Sequence, residues 1–470
     1  MRKTKIICTI GPSCSDEKTL REMFMAGMNV ARLNFSHGTH EEHLEKINTL
    51  KKIRDDLKMP VAIMLDTKGP EYRIRSFENG KITLNEGDDF TFTVNEEMGD
   101  QKHVAVNYKG LANDLEPGDK ILLNNGLVAF DVISINGPNI NCKVAIGGEI
   151  SDHKSMSFPN KVLKQKFLSE QDKDDILFGI ENDVDFIACS FVSCAEDLKA
   201  VNAFLKEHGG ESIALIAKIE NQAGIDNIEE ICNECEGIMI GRGDMGVEIP
   251  FAQLPAIQKY LITKCRLMGK RVITATEMLE SMIHNPRPTR AETSDVANAV
   301  YDGSSAIMLS GETAAGKYPV LAVSTMATIA EQTEKNIHYK KRFVNSQFDI
   351  KNTVDAISHS TCGMAIDIDA KSVVACTISG MTARMVSRFR SPVDILGLTT
   401  NEKTWRQLAM SWGVTPVMCD TYESMDVLFY TAKQQAKKTF NLKKGDKIII
   451  TGGMTNGVSG NTNILKIETI

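Results

Sequence analysis

Short apolar runs alternate with longer amphipathic segments along most of this chain. The runs are rich in Ile, Val, Ala and Met, and near-continuous apolarity of this length is typical of strands buried on both faces of a parallel sheet. Between the runs, apolar positions recur three and four residues apart, which predicts helices. The eight runs are KIICTI, NVARLN, VAIMLD, DFIACS, IALIAKI, GIMIG, RVITAT and SAIMLS.

Eight strand and helix alternations in about 240 residues predict an α/β fold built on a closed (β/α)8 TIM barrel. An open doubly wound sheet is the alternative. Residues 71–167 interrupt this pattern with short, partly alternating runs and Asn-Gly, Gly-Asp and Gly-Gly pairs, which favour the hairpins of a small β-barrel-like domain. From residue 346 on, four more runs predict a C-terminal α/β domain with a mainly parallel sheet. The barrel would then comprise residues 1–70 and 168–345, the lid 71–167 and the third domain 346–470.

Composition narrows the classes of function. The 470 residues are 42% apolar and 24% charged, which is typical of a folded globular protein. A formal net charge of -7 provides no overall positive field for nucleic acid or an anionic membrane surface. We expect no membrane span, since no run of about 20 apolar residues occurs, and no signal segment, since Gly11-Pro12 closes the first apolar run. Eleven cysteines, mostly within apolar runs, favour reduced thiols and a cytoplasmic location.

Polar side chains follow six of the eight predicted strands. In barrels of this kind the active site forms at the carboxyl ends of the strands, so these side chains should meet at one mouth. Buried ion pairs or helix caps would explain any single strand end, but burying so many charges for structure alone is costly. By strand alternation, Lys218 should lie beside Glu220, and Arg242 beside Asp244. The six ends are Arg32-Leu33-Asn34-Phe35-Ser36-His37, Asp66-Thr67-Lys68, Lys218-Ile219-Glu220, Arg242-Gly243-Asp244, Thr276-Glu277 and Ser310-Gly311-Glu312.

The residue types at these strand ends indicate metal-assisted chemistry on a small polyanion. Glu220 and Asp244, on neighbouring strands, are the best pair for a hard ion such as Mg²⁺, because oxygen ligands dominate and His and Cys do not cluster there. Arg32, Lys218 and Arg73 supply the positive charge that a phosphorylated, carboxylated substrate requires.

Three other features have structural alternatives. The G-x-G-x-x-G match beginning at Gly241 contains Asp244, which would repel a pyrophosphate, so a dinucleotide site is not favoured. The pair Cys232-x-x-Cys235 lacks a second pair of ligands and is interpreted as structural. His37 either caps the following helix or contacts a ligand.

Seven segments of the chain closely resemble, in order and spacing, the signature segments of the pyruvate kinase family. They are MNVARLNFSHG, LDTKGPEYR, AKIEN, GRGDMGVE, ITATEMLESMIHNPRPTRAE, SDVANAVYDG and IMLSGETAAGKYP. The resemblance covers essentially the whole chain and implies a barrel, a β-rich lid and an α/β domain for effector binding and oligomerisation. It implies transfer of the phosphoryl group of phosphoenolpyruvate to ADP, giving pyruvate and ATP in the last step of glycolysis. Mg²⁺ (or Mn²⁺) and K⁺ are the implied cofactors, and a homotetramer is the implied assembly.

The same resemblance implies roles for individual residues. The catalytic set is Lys218, Thr276 and Arg32, and the phosphoenolpyruvate contacts are Arg32, Lys218, Gly243, Asp244 and Thr276. The nucleotide (ADP or ATP) set is Asn34, Phe35, Ser36, His37, Arg73 and Lys154. The Mg²⁺ ligands are Glu220 and Asp244, and the K⁺ ligands are Asn34, Ser36, Asp66 and Thr67. Glu71 resembles the K⁺-dependent members of the family. A phosphorylated effector would bind the loop containing Thr377, Ser379, Gly380 and Thr382.

Alternatives stay open at this point. A magnesium-dependent lyase or mutase of the phosphoenolpyruvate and pyruvate barrels is a different enzyme class, and a noncatalytic binding or scaffold protein is a third. The effector loop could be an ordinary strand-to-helix turn. Three positions depart from the family pattern, namely Glu277, Ser193 and Ser155, and none of them removes a metal or phosphoryl contact.

Overall fold

The computed structural model describes residues 1–159, 161, 163–422, 424–453 and 461–470. The chain begins with three parallel strands joined by two helices. The first helix starts after Asp16, whose carboxylate accepts the N–H of Thr19, and ends at Gly27 with a φ of 118°. The elements are β1 (Lys5–Thr9), α1 (Glu17–Ala26), β2 (Val30–Asn34), α2 (His40–Leu57) and β3 (Ala62–Asp66).

After β3 the chain leaves this sheet and forms the lid, which consists of the eight strands β4 to β11 and one short helix. Six of the strands form one curled sheet and two form a ribbon. The hairpin between β7 and β8 turns at Asn124 and Asn125, which both have positive φ, and Phe90, Phe92 and Phe130 pack together inside the sheet. The elements are β4 (Lys81–Leu84), β5 (Asp89–Thr93), β6 (His103–Ala105), α3 (Leu111–Asp114), β7 (Lys120–Leu123), β8 (Val128–Asn136), β9 (Asn139–Ile146), β10 (Gly148–Ser151) and β11 (Met156–Ser157).

Five more parallel strands then complete a closed barrel, in the order β1-β16-β15-β14-β13-β12-β3-β2. Apolar side chains such as Ile7, Met64 and Phe186 fill its interior, and a second apolar layer lies between strands and helices. The elements are α4 (Glu170–Glu181), β12 (Phe186–Cys189), α5 (Ala195–Glu207), β13 (Ala214–Ile219), α6 (Gln222–Asp226), α7 (Ile228–Asn233), β14 (Gly237–Gly241), α8 (Arg242–Glu248), α9 (Leu254–Leu267), β15 (Arg271–Ala275), α10 (Arg290–Asp302), β16 (Ala306–Leu309), α11 (Gly311–Ala314) and α12 (Pro319–Lys335). The eight strands coincide with the eight apolar runs, so the closed barrel is confirmed and the open sheet is excluded.

The last part of the chain is an α/β unit with a five-stranded sheet in the order β19-β18-β17-β20-β21. Four of the strands are parallel, as predicted, and the edge strand β21 is antiparallel to β20. The elements are α13 (Tyr339–Asn345), α14 (Thr353–Asp367), β17 (Ser372–Cys376), α15 (Met381–Arg388), β18 (Asp394–Thr399), α16 (Glu402–Leu408), β19 (Val414–Met418), α17 (Met425–Phe440), β20 (Lys447–Gly452) and β21 (Ile464–Thr469).

The polar segment at residues 331–352, which follows the last barrel strand, is partly helical. It forms the end of α12 and then α13, where the buried ring of Tyr339 packs against Trp412, with ring centroids 5.6 Å apart. Tyr339 anchors α13 together with Arg342, whose guanidinium donates to the carbonyls of Tyr301 and Asp302. Among the helices that the structure describes, none is long and apolar enough to cross a membrane.

Candidate active site

The first three strands end in a buried ion pair at the mouth of the barrel. Arg32 donates from Nε to Asp66 Oδ2 (2.6 Å) and from Nη1 to Thr9 Oγ1 (2.9 Å). Asp66 is only 1% exposed. Burial alone would raise the pKa of Asp66, but the nearby cations Arg32 and Lys218 outweigh burial and lower it. The Asp66 carboxylate is therefore charged.

Lys218, near the end of β13, lies at the centre of this mouth. Its Nζ is 2.7 Å from Ser190 Oγ, 3.1 Å from Asp66 Oδ1 and 3.2 Å from Glu220 Oε1. Burial would lower the pKa of Lys218, but the carboxylates of Asp66 and Glu220 more than compensate and raise it. The ammonium therefore keeps its charge at neutral pH, and the expectation that Lys218 lies beside Glu220 is confirmed.

The carboxylates of Glu220 and Asp244 fit a divalent cation. Burial raises the pKa of Glu220 to about 7 and also raises the pKa of Asp244, so each charge is poorly compensated by the protein. Lys218 offsets part of this effect at both carboxylates, whereas the nearby charge of Asp66 adds to it. Among the described residues, His, Cys, Asp and Glu form no group of three that could hold a metal ion alone. Two carboxylates with water and substrate oxygens are a usual Mg²⁺ environment.

Strand β15 leads into a strained turn that carries Thr276. Thr276 and Glu277 both have left-handed backbone conformations, with φ of 69° and 54°. The turn directs Thr276 Oγ1 toward the N–H of Gly243 (3.0 Å), and the hydroxyl donates to the carbonyl of Ala275 (2.6 Å). Glu277 is exposed, so this departure from the family pattern points outward.

Arg242 does not lie beside Asp244 on a strand, so that prediction is wrong. Strand β14 ends at Gly241 and the chain turns directly into helix α8. The Arg242 guanidinium instead donates to the carbonyl of Thr276 (2.5 Å) and pairs with Asp295 (2.8 Å) on α10. Arg242 thus stabilises the backbone of the turn that carries Thr276.

The last residue of β2 and the loop after it provide four of the residues expected near the nucleotide and K⁺. Asn34 Oδ1 accepts the N–H of Ser36 (3.2 Å), while Ser36 and His37 are exposed. The ring of Phe35 is buried and stacks on His43, with centroids 4.0 Å apart. Only the backbone of Phe35 can therefore contribute to a ligand site.

Two polar residues at the mouth were not identified from the sequence, Thr9 and Ser190. Ser190 Oγ donates to the carbonyl oxygen of Thr67 (2.6 Å), and Thr67 Oγ1 accepts the N–H of Ser190 (3.2 Å). The available signal was weak, since each is a hydroxyl residue at the end of an apolar run with no charge nearby in the sequence. Thr9 ends β1 and Ser190 follows β12, and these two barrel strands are not among the six with polar strand ends in the sequence.

Arg73 and Lys154 lie on the two adjacent segments that join the lid to the barrel. Arg73 forms an isolated bridge with Ser155, pairs with Glu71 and donates to the carbonyl of His153 (2.6 Å). The carbonyl of Lys154 accepts the N–H of Ile74 (3.0 Å). Between lid and barrel there is a cleft of about 490 Å³, lined among others by Glu71, Phe158, Phe191 and Asp244.

The candidate effector loop joins β17 to α15. Gly380, with a φ of 81°, precedes the helix, and Ser379 is exposed. The N–H of Thr377 donates to the carbonyl of Leu398 (2.9 Å). Thr382 is buried and its hydroxyl lies 2.7 Å from that of Thr462.

Three other polar features are structural. Helix α2 is capped by the Thr39 side chain, so the alternative that His37 caps it is wrong. Cys232 is buried with its Sγ 3.5 Å from that of Cys265, which agrees with a structural thiol. Glu312, after the eighth strand, is buried and accepts two backbone N–H groups.

A closed parallel barrel with a buried ammonium, a guanidinium and three carboxylates at its carboxyl-end mouth is typical of the active site of an enzyme that acts on a small anion. Two family models match the chain: "Pyruvate kinase, barrel domain" over residues 1–323 and "Pyruvate kinase, alpha/beta domain" over residues 355–468. The chain belongs to the pyruvate kinase family.

Individual relatives agree with this assignment. The chain is 46% identical over 472 residues to a pyruvate kinase of Clostridium acetobutylicum, and 45% identical over 474 residues to one of Clostridium perfringens, with 100% of both chains covered in each case. A crystal structure of a pyruvate kinase from Cryptosporidium parvum superposes with a TM-score of 0.95 at 37% identity, covering 100% of this chain and 96% of that one.

The function is that of a phosphotransferase that converts phosphoenolpyruvate and ADP to pyruvate and ATP. The alternative of a lyase or mutase on the same kind of barrel is not favoured.

Proposed function

We propose that phosphoenolpyruvate binds at the barrel mouth with its phosphoryl group beside Lys218. The observation that carries this proposal is the position of the Lys218 ammonium, charged and held between Asp66, Ser190 and Glu220. Phosphoryl transfer needs two anions to be held in line and their charge offset, and it leaves little covalent work for the protein. A fixed ammonium at the mouth supplies that charge without reorganisation.

The substrate contacts that we propose surround this ammonium. Arg32, held by Asp66 and Thr9, offers its guanidinium to the anionic substrate, and the Gly243 backbone and Thr276 hydroxyl border the same space. Because the Thr276 hydroxyl donates to the Ala275 carbonyl, its proton is committed to the backbone, and the proton that converts enolate to pyruvate would reach the substrate through water near Thr276.

Two cation sites complete the proposal. Glu220 and Asp244 would hold Mg²⁺ or Mn²⁺, and Asn34, Ser36, Asp66 and Thr67 would hold K⁺. When bound, these ions supply positive charge to the phosphoryl oxygens. Support comes from the buried carboxylates of Glu220 and Asp244, whose pKa values burial raises, and from the oxygen-only character of the proposed ligands.

The nucleotide would approach from the lid and from the loop after β2. We assign it to Arg73 and Lys154 on the lid side, and to the loop residues Asn34, Phe35, Ser36 and His37. Support comes from the bridge between Arg73 and Ser155, the residue after Lys154, and from the cleft between lid and barrel, which is lined by the neighbouring residues Glu71 and Ser155. Phe35 would contribute its backbone only.

Regulation and assembly are further parts of the proposal. A phosphorylated effector would bind the loop with Thr377, Ser379, Gly380 and Thr382, although the inward-facing Thr382 hydroxyl already bonds to Thr462. We propose a cytoplasmic homotetramer; support for the compartment comes from the eleven cysteines, all free thiols.

The experiment is an assay of pyruvate formation from phosphoenolpyruvate and ADP by the full chain. We expect activity that requires Mg²⁺ and falls by most of its value when K⁺ is omitted, because Glu71 leaves no lysine to replace that ion. Full activity in K⁺-free buffer would contradict the K⁺ site. Titration of sugar monophosphates at subsaturating phosphoenolpyruvate tests the effector loop, and an unchanged rate would contradict it.

A further inference from the structure

The ammonium of Lys218 has no N–H group to spare. An ammonium carries three donors, and Asp66 Oδ1, Ser190 Oγ and Glu220 Oε1 surround Lys218 Nζ at 3.1, 2.7 and 3.2 Å. It can donate to a phosphoryl oxygen only if one of these contacts is released. The contacts that persist then determine the position of the Lys218 ammonium during the reaction.

The contact to Ser190 is the shortest of the three and the best fixed. Ser190 is 2% exposed, and of the two acceptors near its hydroxyl the carbonyl oxygen of Thr67, at 2.6 Å, is much closer than Asp66 Oδ1, at 3.3 Å, so the single hydroxyl proton is directed at Thr67. The lone pairs of Oγ are therefore available to Lys218. As a neutral acceptor, the hydroxyl orients the ammonium without cancelling its charge, unlike the carboxylates of Asp66 and Glu220.

The backbone around Ser190 is held as firmly as its side chain. The N–H of Ser190 donates to Thr67 Oγ1 (3.2 Å). The next residue, Phe191, is left-handed with a φ of 59°, and its N–H donates to Glu220 Oε2 (2.9 Å). One turn thus fixes both the hydroxyl that holds Lys218 and the carboxylate opposite it.

We propose that Ser190 is a positioning residue for phosphoryl transfer. Its hydroxyl is the constant acceptor that holds the Lys218 ammonium while the longest contact, to Glu220 Oε1, is exchanged for an oxygen of the moving phosphoryl group. This role rests on the proposed function of Lys218. It predicts that loss of the hydroxyl impairs the transfer step more than substrate binding, because Arg32 still holds the substrate.

The test compares three variants of the full chain in steady-state assays with phosphoenolpyruvate, ADP, Mg²⁺ and K⁺. Ser190→Ala should lower kcat by about ten- to a hundredfold, the usual effect of losing a hydrogen bond to a charged group, with the KM for phosphoenolpyruvate within about threefold. Ser190→Cys fills the same space with a weak acceptor and should lower kcat nearly as much. Ser193→Ala removes a hydroxyl from the same loop that bonds to Asn221 and Phe191, and should retain kcat.

The results distinguish a positioning role of Ser190 from a role in packing, and they distinguish failure of either role from failure of the proposed function. Thermal melting shows whether each variant is folded, and if Ser190→Ala is not, Ser190→Cys decides. A normal kcat in either folded Ser190 variant would overturn the role, as would an equal loss in Ser193→Ala or a rise in KM alone. Wild-type chain that forms no pyruvate from phosphoenolpyruvate and ADP would instead contradict the proposed function.

Discussion

Lys218 is a buried cation that keeps its charge at neutral pH. Desolvation works against its charge, but two carboxylates within 3.2 Å raise its pKa. An uncharged amine could not offset the charge of two anionic reactants. In the role proposed for Lys218, the carboxylates would therefore serve the reaction indirectly, by maintaining the charge of the group that stabilises the transferred phosphoryl.

Replacing Lys218 by methionine removes this charge and keeps the volume. We expect Lys218→Met to lower kcat by about a thousandfold, because removing one preorganised electrostatic group from an active site typically costs this much. The KM for phosphoenolpyruvate should change little, since Arg32 is retained. Lys199→Met, on the exposed surface of α5, is the control and should behave as wild type. Near-normal turnover of Lys218→Met in steady-state assays would contradict the assigned role.

The end of strand β14 determines how closely Glu220 can be packed. A Cβ atom at Gly241 would lie 2.6 Å from both Cγ and Oε1 of Glu220, which real Cβ contacts do not allow. Glycine at this strand end therefore leaves room for the carboxylate that faces the mouth. The geometry of a neighbouring strand, rather than Glu220 itself, sets the position of the proposed metal ligand.

Gly241→Ala should displace Glu220 and raise the Mg²⁺ concentration for half-maximal activity by about tenfold, the usual cost of disturbing the support of a metal ligand. Gly246→Ala on the adjoining helix is the matched control, because its Cβ would meet no atom closer than 3.8 Å. Titration of activity with Mg²⁺ measures both. An identical Mg²⁺ requirement in Gly241→Ala and wild type would show that Gly241 is not needed for this site.

The elements that the sequence predicted best are those buried on both faces. All eight barrel strands were found because parallel strands in a closed barrel leave uninterrupted apolar runs. Strand β21 was missed because it is a partly exposed edge strand with no such run. The prediction that Arg242 lies beside Asp244 was wrong because β14 passes into α8 without a loop. Side chains two residues apart share a face in a strand but not in a helix, and Arg242 and Asp244 both lie in the helix.

The charged residues of the candidate site could be predicted from the sequence. Asp66, Lys218 and Glu220 stand out among apolar neighbours, whereas the hydroxyl of Ser190 does not. Contacts between strands far apart in sequence, such as the one from Ser190 to Thr67, depend on the register of the barrel, and the sequence does not display it. The domain limits at residues 71, 168 and 346 stay a prediction.

The barrel and the C-terminal unit are joined by a buried ion pair network. Arg406 on α16 donates to Asp185 Oδ1 and to Asp183 Oδ2, each at 2.6 Å. Asp185 is fully buried at the start of β12, and its other oxygen accepts the N–H of Ile63. Without Arg406, the buried Asp185 carboxylate would lose its closest cation and keep only the more distant Arg54, at 3.9 Å, and Lys403.

Arg406→Met should therefore reduce the free energy of unfolding by about 3–5 kcal/mol, as breaking one side of a buried pair does. Glu402→Gln is the matched control on the same helix, because the Glu402 side chain that pairs with Arg406 is 65% exposed, and it should cost less than about 1 kcal/mol. Denaturant unfolding followed by fluorescence compares the midpoints. Equal midpoints for the two variants would contradict the assigned importance of Arg406.

Lys5 makes the stability of this junction depend on pH. Its Nζ donates to the carbonyl of Val414 (2.7 Å), and burial lowers the pKa of Lys5 to about 7. Between that value and the ordinary pKa near 10.5, the unfolded chain binds a proton that the folded chain does not, so this group makes folding more favourable as pH rises. Below pH 7 the cost of burying the ammonium is fully present.

Lys5→Met should accordingly melt at a higher temperature than wild type at pH 7, with a difference that shrinks toward pH 10. Lys18→Met, at an exposed position on α1, is the control and should show no such pH-dependent difference. Calorimetric scans across this range measure both variants. A Lys5→Met advantage that grows with pH would have the wrong sign for a buried lysine.

In the function proposed here, the charged barrel mouth moves a phosphoryl group from phosphoenolpyruvate to ADP. Phosphorus NMR of the full chain with both substrates, Mg²⁺ and K⁺ tests it most directly. We predict that the phosphoenolpyruvate signal declines as the γ-phosphate signal of ATP rises in equal amount, and only when ADP is present. Release of inorganic phosphate, or a new carbon-bound phosphorus signal without ADP, would contradict the claim.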